Sequence, residues 1–328
     1  MSFKKSIAAA GCAIILLTTA SVFAGGPGEF DPPQKMQHFN VYLEGMMPYA
    51  SEESAYVATT VNVGASGEYN TKLYHANSKA AFGGTVGASY IFNNKSDLRV
   101  EYTYLPGKYK EEKITFPDNG GTINSTLKKT YQAVNLDMGQ YWNPVQKLEL
   151  HFFAGIAYRN YKHESTGTAP SDSTEYDNYI LGSGIESKFS GWGPRFGIDT
   201  RYSLFKWLNI IGNASLSLPY GSLDASSKTA IFANGVVAVT PGKLSTTALQ
   251  KTETIDKFMP ELAGNLGLQF NQQFSSAFWG GLELGYRVIH LMKSDMDVTA
   301  LTSSGVAAGY KFDDTTFIGP YVRLSVLF

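Results

Sequence analysis

Acidic and basic side chains fall on alternate positions, an even number of residues apart within each segment, in otherwise apolar, strand-like segments. They are Glu44, Arg99, Glu101, Asp137, Glu149, His151, Arg159, Arg195, Asp199, Arg201, Glu261, Glu283, Arg287 and Arg323. A period of two places them on one face of an extended chain and the apolar residues on the other. Charges of both signs on one face have two uses. They line a water-filled passage and set its ion selectivity, or they pair across a narrow interior and fill it. Acids and arginines are nearly balanced, which predicts weak selectivity if the passage conducts.

Other chemistry is weaker. His151 and Asp137 are expected on neighbouring strands, two to three residues from register, where an Asp–His pair is able to act as a general base. No serine nucleophile accompanies them, and a structural contact is favoured. His290 lies near Asp295 and Asp297, a metal or protease arrangement in principle and a solvated rim in the plainer reading. The sequence holds no phosphate-binding loop, no HExxH and no Cys/His metal spacing. No catalytic residue, metal or cofactor is expected, and the chain is read as a non-enzyme.

The elements that position these charges are strands. Apolar alternation runs through Phe39–Met47, Phe82–Phe92, Leu98–Tyr104, Val134–Trp142, Leu148–Tyr158, Tyr179–Leu204, Leu208–Leu218, Leu262–Phe270, Phe278–Val288 and Val322–Phe328. Short turns at 93–97, 143–147, 205–207 and 271–276 alternate with long polar loops near 50–79, 106–128, 163–178, 219–255 and 291–313. Short connections on one rim and long ones on the other are the arrangement of an outer-membrane barrel. Hydrocarbon offers no hydrogen-bond partner, so the sheet must close, first strand against last. The chain ends on Val322, Leu324, Val326 and Phe328 sharing the apolar face, a barrel-closing signal. The expectation is an all-β fold, a transmembrane antiparallel up-and-down β-barrel of about ten strands. Eight or twelve stay open, because 231–239 and 305–312 are able to pair within their loops. Aromatic girdles are expected at Phe92, Trp142, Phe205, Trp207, Phe270 and Phe278 on the turn side, and at Tyr102, Tyr104, Tyr158, Tyr161 and Tyr220 on the loop side.

The amino end agrees. Lys4-Lys5, the apolar run from Ser6 to Thr19 and Val22-Phe23-Ala24 read as an export signal over 1–24. Residues 25–37 form a periplasmic lead-in rich in Gly and Pro, and 38–328 the barrel. Cys12 is the one cysteine, so the mature chain has no disulfide. Charged residues make up 17% and aromatics 13%, with a net charge of −1, which gives nucleic acid no attraction. The expected partners are outer-membrane lipid and lipopolysaccharide, the barrel assembly machinery, host surface molecules and other copies of the chain.

One segment is distinctive. Phe189-Ser190-Gly191-Trp192-Gly193-Pro194-Arg195-Phe196-Gly197-Ile198-Asp199 resembles the F-x-G-x-G-P-R-x-G-x-D segment of the Legionella-type major outer membrane proteins. Tyr202, Gly212-Asn213-Ala214, Gly285-Tyr286-Arg287 and Phe317-Ile318-Gly319-Pro320-Tyr321 are similar too. The resemblance implies a porin, abundant at the cell surface and in contact with host molecules. Family porins are crosslinked by disulfides, which this mature chain cannot form. Read from the residues, the glycines let a bulky neighbour approach the wall, and Pro194 predicts a bulge or bend. The functional expectation is passive diffusion of small solutes or ions through a narrow lumen. The alternative is a non-conducting surface barrel that adheres through its loops.

Overall fold

The computed structural model describes residues 39–328 except 51–55, 64–68, 76–80, 93–94, 109–111, 116–121, 169–177, 235–248, 276–277 and 300–308, so the export signal and the lead-in lie outside the described residues. The strands are β1 (Phe39–Met46), β2 (Tyr49–Ala50), β3 (Tyr56–Val63), β4 (Tyr69–His75), β5 (Gly83–Ile91), β6 (Ser96–Lys108), β7 (Glu112–Thr115) and β8 (Thr122–Val145). They continue as β9 (Leu148–Thr168), β10 (Asn178–Phe205), β11 (Leu208–Ser217), β12 (Tyr220–Asn234), β13 (Leu249–Phe258), β14 (Glu261–Ser275), β15 (Phe278–Thr299) and β16 (Gly309–Leu327).

The ring is antiparallel and closed. Its order is β1, β5, β6, β8, β9, β10, β11, β14, β15 and β16, and β16 returns to β1. That is ten strands. Closure runs from Asn40 opposite Leu327 to Met46 opposite Tyr321. At its end Phe39 and Phe328 exchange backbone hydrogen bonds of 2.9 and 2.9 Å, and their rings meet at 5.4 Å. Val322, Leu324 and Phe328 are exposed on the outer face.

The two segments that left the count open extend existing strands. Ile231 pairs with Leu181 as part of β12, and Tyr310–Phe312 pair with β15. Residues 235–239 and 305–308 lie outside the described residues. β12 and β13 form a hairpin that prolongs β11 and β14 upward, with Leu218-Pro219 and Met259-Pro260 at the joints.

Much of what reads as long polar loop is therefore wall. β8, β9, β10 and β15 hold 24, 21, 28 and 22 residues, against the roughly 9–11 that cross a bilayer. Towards the loop ends the sequence turns more polar, as at Lys128–Thr130 of β8 and Lys162–Glu164 of β9, so the apolar alternation that marks a strand fades while the ladder continues. The β3–β4 hairpin, between β1 and β5, pairs with β10 at Tyr179–Leu181. β10 is five places round the ring from β1, so this connection spans the loop-side opening.

The turn-side aromatics lie outside, with Phe205–Trp207 and Trp207–Phe270 stacked at 5.8 and 6.1 Å. On the loop side Tyr158–Trp192 and Tyr220–Phe258 meet at 4.8 and 4.9 Å. Tyr161 departs from expectation. It shares parity with His151 and Arg159, points inward and is fully buried. Near the girdle both faces are aromatic, so composition alone does not reveal the side.

Candidate functional site

The interior has two storeys. The lower is a polar vestibule of about 1450 Å³ that opens among the turns carrying Lys95, Lys147 and Lys206. The upper is an apolar layer of Met46, Leu105, Tyr131, Tyr161, Phe189, Leu223, Met259, Ile289, Leu291, Phe317 and Tyr321. Alternation alone predicts a polar lumen throughout. In the upper half apolar side chains fill much of the bore beside buried Lys129, His163, Ser187 and Thr315, and they meet across the barrel, with Tyr131 5.8 Å and Tyr161 6.5 Å from Phe317 by ring centroids.

Between the storeys the charged residues form a cross-lumen lattice. Arg159, 1% exposed, donates from Nε and Nη2 to Glu261 at 2.6 and 2.7 Å. Tyr131 Oη donates to the same carboxylate at 2.6 Å. Arg159 also reaches Asn135 Oδ1 at 2.7 Å and Ser217 Oγ at 2.9 Å. These partners come from β8, β9, β11 and β14, so the bridge spans the bore.

A second cluster lies below it. Arg99 bonds Asp199 at 2.9 Å and lies 3.6 Å from Asp137. Arg195 pairs with Asp137 and lies 3.6 Å from Glu101. Both guanidinium groups stack on the Phe153 ring, at 4.4 and 4.7 Å. Glu101 accepts from Tyr42 and, at 3.1 Å, from Asn135. On the closing strands, buried Glu44 takes Arg287 at 2.6 Å and Arg323 at 2.7 Å. Arg323 lies 3.4 Å from Glu283, which accepts from Gln269 at 2.9 Å. Arg201 and Glu149 pair at 3.0 Å nearer the mouth. A guanidinium keeps its charge at any working pH and offers a planar fork of donors, which suits it to such an enclosed lattice.

The expected Asp137–His151 contact does not form. In register Asp137 faces Gly155 and His151 faces Tyr141. His151 instead bonds Asp199 through Nδ1 at 2.8 Å and Asp97 through Nε2 at 2.7 Å. Gly139 makes this possible, because a Cβ there would lie 2.0 Å from His151 Nε2. His290 bonds Thr316 at 2.8 Å and lies 3.6 Å from Asp314, while Asp295 falls beyond a register shift, opposite Asp313. Among the described residues no three His, Asp or Glu side chains are grouped to hold a metal ion.

The Phe189–Asp199 segment also behaves differently from its proline signal. The β9–β10 ladder runs from Ile185 to Tyr202 with no register shift, so Pro194 makes no bulge. It stands opposite Leu218, whose N–H donates to the Pro194 carbonyl at 3.0 Å. Gly197 does admit a bulky neighbour, since a Cβ there would meet the Phe153 ring at 2.3 Å. Arg195→Ala removes a stacked guanidinium from Asp137 and Glu101. We expect a loss of about 2 kcal/mol, read as a lower urea midpoint of the refolded barrel, with export unchanged. A wild-type midpoint together with wild-type conductance would contradict the role.

Sequence reasoning missed the neutral members of the lattice. Tyr42, Tyr131, Asn135, Phe153 and Thr315 stand at inward parity, so period two was a sufficient signal; a search confined to charged residues passes them over.

The family model described as Legionella pneumophila major outer membrane protein precursor matches residues 33–328. No curated protein matches the chain. Among solved structures the chain is similar to the outer membrane protease OmpT from Escherichia coli, at 10% identity and a TM-score of 0.46, covering 92% of this chain and 99% of that one. A major outer membrane protein from Thermus thermophilus follows at 10% identity and 0.34, covering 90% and 100%. A Pseudomonas aeruginosa FadL homologue stands at 7% and 0.32, covering 89% and 90%. With its closed ten-strand wall and a family match over nearly its whole length, the chain belongs to the Legionella major outer membrane protein family and is a β-barrel of the bacterial outer membrane.

Proposed function

We propose that the protein is a porin-type conduit for small ions and polar solutes, held shut at its waist in this structure. The observation that carries this reading is the vestibule. A barrel that served only as an anchor has no need of a charge-lined chamber of about 1450 Å³. Ten strands fall between the filled eight-strand bore and the open channels of 16–18, and the cross-lumen bridges argue against a wide pore. Lattice charge is nearly balanced, so selectivity is weak. Lys95, Lys147 and Lys206 line the mouth and make no ion pair among the described residues, which tilts that selectivity toward anions. In this reading His151 is structural, held through both ring nitrogens by Asp97 and Asp199.

A second reading, a surface barrel working through its loops, is favoured by the strands that rise far beyond the bilayer. Single-channel recording in planar bilayers separates the two. The wild type is expected to show small, rare openings, and Tyr161→Ala with Phe317→Ala to raise the open fraction several-fold. If neither protein ever conducts, the conduit reading fails and the surface reading stands.

A further inference from the structure

Prolines interrupt the wall at one level. Pro48, Pro194, Pro219, Pro260 and Pro320 lie on or beside β1, β10, β11, β14 and β16. Each has a neighbour strand that donates to its carbonyl. Leu218 donates to Pro194 at 3.0 Å, Met259 to Pro219 at 3.0 Å, Met292 to Pro260 at 2.8 Å, Met47 to Pro320 at 3.1 Å and Ala81 to Pro48 at 3.4 Å. A proline carbonyl still accepts, but its nitrogen gives nothing back, so each crossing keeps half a ladder step. β15 has no proline there. It has a register shift between Leu291 and Asp295, with Lys293 at a φ of 53°. The level is that of the upper girdle, since Tyr49, Trp192, Tyr220 and Phe258 stand within two residues of a proline.

The rest of the wall crosses this level with its ladders in register. β6–β8 pair from Ser96 to Lys108, and β8–β9 from Asn124 to Trp142, without a shift. Pro106, within β6 opposite Thr130, is the one proline of these ladders at this level. The seamed ladders keep register there too, except β15–β16, and differ in having a proline at nearly every crossing. β9–β10 are continuous as well. The barrel thus has a continuous side, β6 to β10, and a seamed side, β11 round to β1.

The upper closure joins these two sides. Tyr131 and Arg159 on the continuous side meet Glu261 on the seamed side. Tyr161 and Lys129 meet Thr315, each at 3.0 Å. Tyr131 and Tyr161 pack on Phe317. Met46, Met259 and Leu291 of the apolar layer stand within two residues of a seam position.

We propose that the seam is the hinge of the gate. The upper wall on the seamed side swings outward against the continuous side, and the apolar layer parts along the line where the two meet. A ladder that has lost donors bends at low cost, whereas bending the continuous side breaks paired backbone bonds. This rests on the conduit reading for its purpose, but the hinge is measurable without current.

Hydrogen exchange of the refolded protein in detergent tests it. Peptides covering 216–224 and 257–263 are expected to exchange at least about tenfold faster than 129–136 and 156–163, which lie at the same girdle level. Equal protection on the two sides overturns the hinge, whether or not the barrel conducts. The double variant Pro219→Ala, Pro260→Ala returns two N–H donors to the seam and is expected to slow its exchange several-fold, with folding checked by heat-modifiable migration. Exchange of the folded variant as fast as the wild type would also overturn the assignment.

Discussion

Glu261→Ala should destabilise the barrel by about 3–5 kcal/mol, the cost of breaking a buried ion pair on one side only. The carboxylate takes three short hydrogen bonds, two from Arg159 and one from Tyr131. Without it a guanidinium that is 1% exposed keeps Asn135, Ser217 and two backbone carbonyls and loses its counter-charge. Glu261→Gln keeps the shape and one acceptor, so it should cost about half as much. Arg159→Met with Glu261→Met should recover most of the loss, because an apolar pair of similar volume extends the layer directly above. The measurement is the urea midpoint of refolded protein, supported by the temperature at which its compact electrophoretic band disappears. If Glu261→Ala unfolds at the wild-type midpoint, the bridge contributes nothing and the lattice is not what closes the bore.

Removal of Phe328 should act on assembly far more than on stability. The residue is 52% exposed, and its contacts are two backbone bonds to Phe39 and one tilted ring pair. A ring pair of that kind is worth about 1 kcal/mol, so the refolded variant should lose little more than that. In cells the shortened chain should lose most of its outer-membrane fraction and accumulate in the periplasm; we propose that the assembly machinery reads this last strand before β16 finds β1. A truncated chain that reaches the outer membrane at the normal level would show that Phe328 only fastens the join.

Much of the wall was legible because its cause is local. Period two sorts each strand into a lipid face and a lumen face wherever one side meets hydrocarbon. The ten segments, the tight turns within 143–147 and 205–207 and the closure of Phe39–Met47 on Val322–Phe328 follow from that sorting and from the absence of hydrogen-bond partners in lipid. The turn at 93–97 lies partly outside the described residues, and β14 continues through most of 271–276. The same parity turned all the charged candidates from Glu44 to Arg323 inward. The girdle assignment failed at Tyr161, whose parity with His151 and Arg159 already turns it inward, and loop was read where apolar alternation fades along the upper parts of β8, β9 and β15.

What the amino-acid order determined by itself is which side of the wall each residue occupies, and that the wall must close. Which inward residues meet was decided by the tertiary structure alone. Arg159 and Glu261 are separated by 102 positions, and Tyr161 and Thr315 by 154. Their contact depends on the bore and stagger of the closed ring, and no single strand encodes those. The division into polar vestibule, ionic lattice and apolar layer arises at the same stage, when ten inward faces are brought together at matched heights.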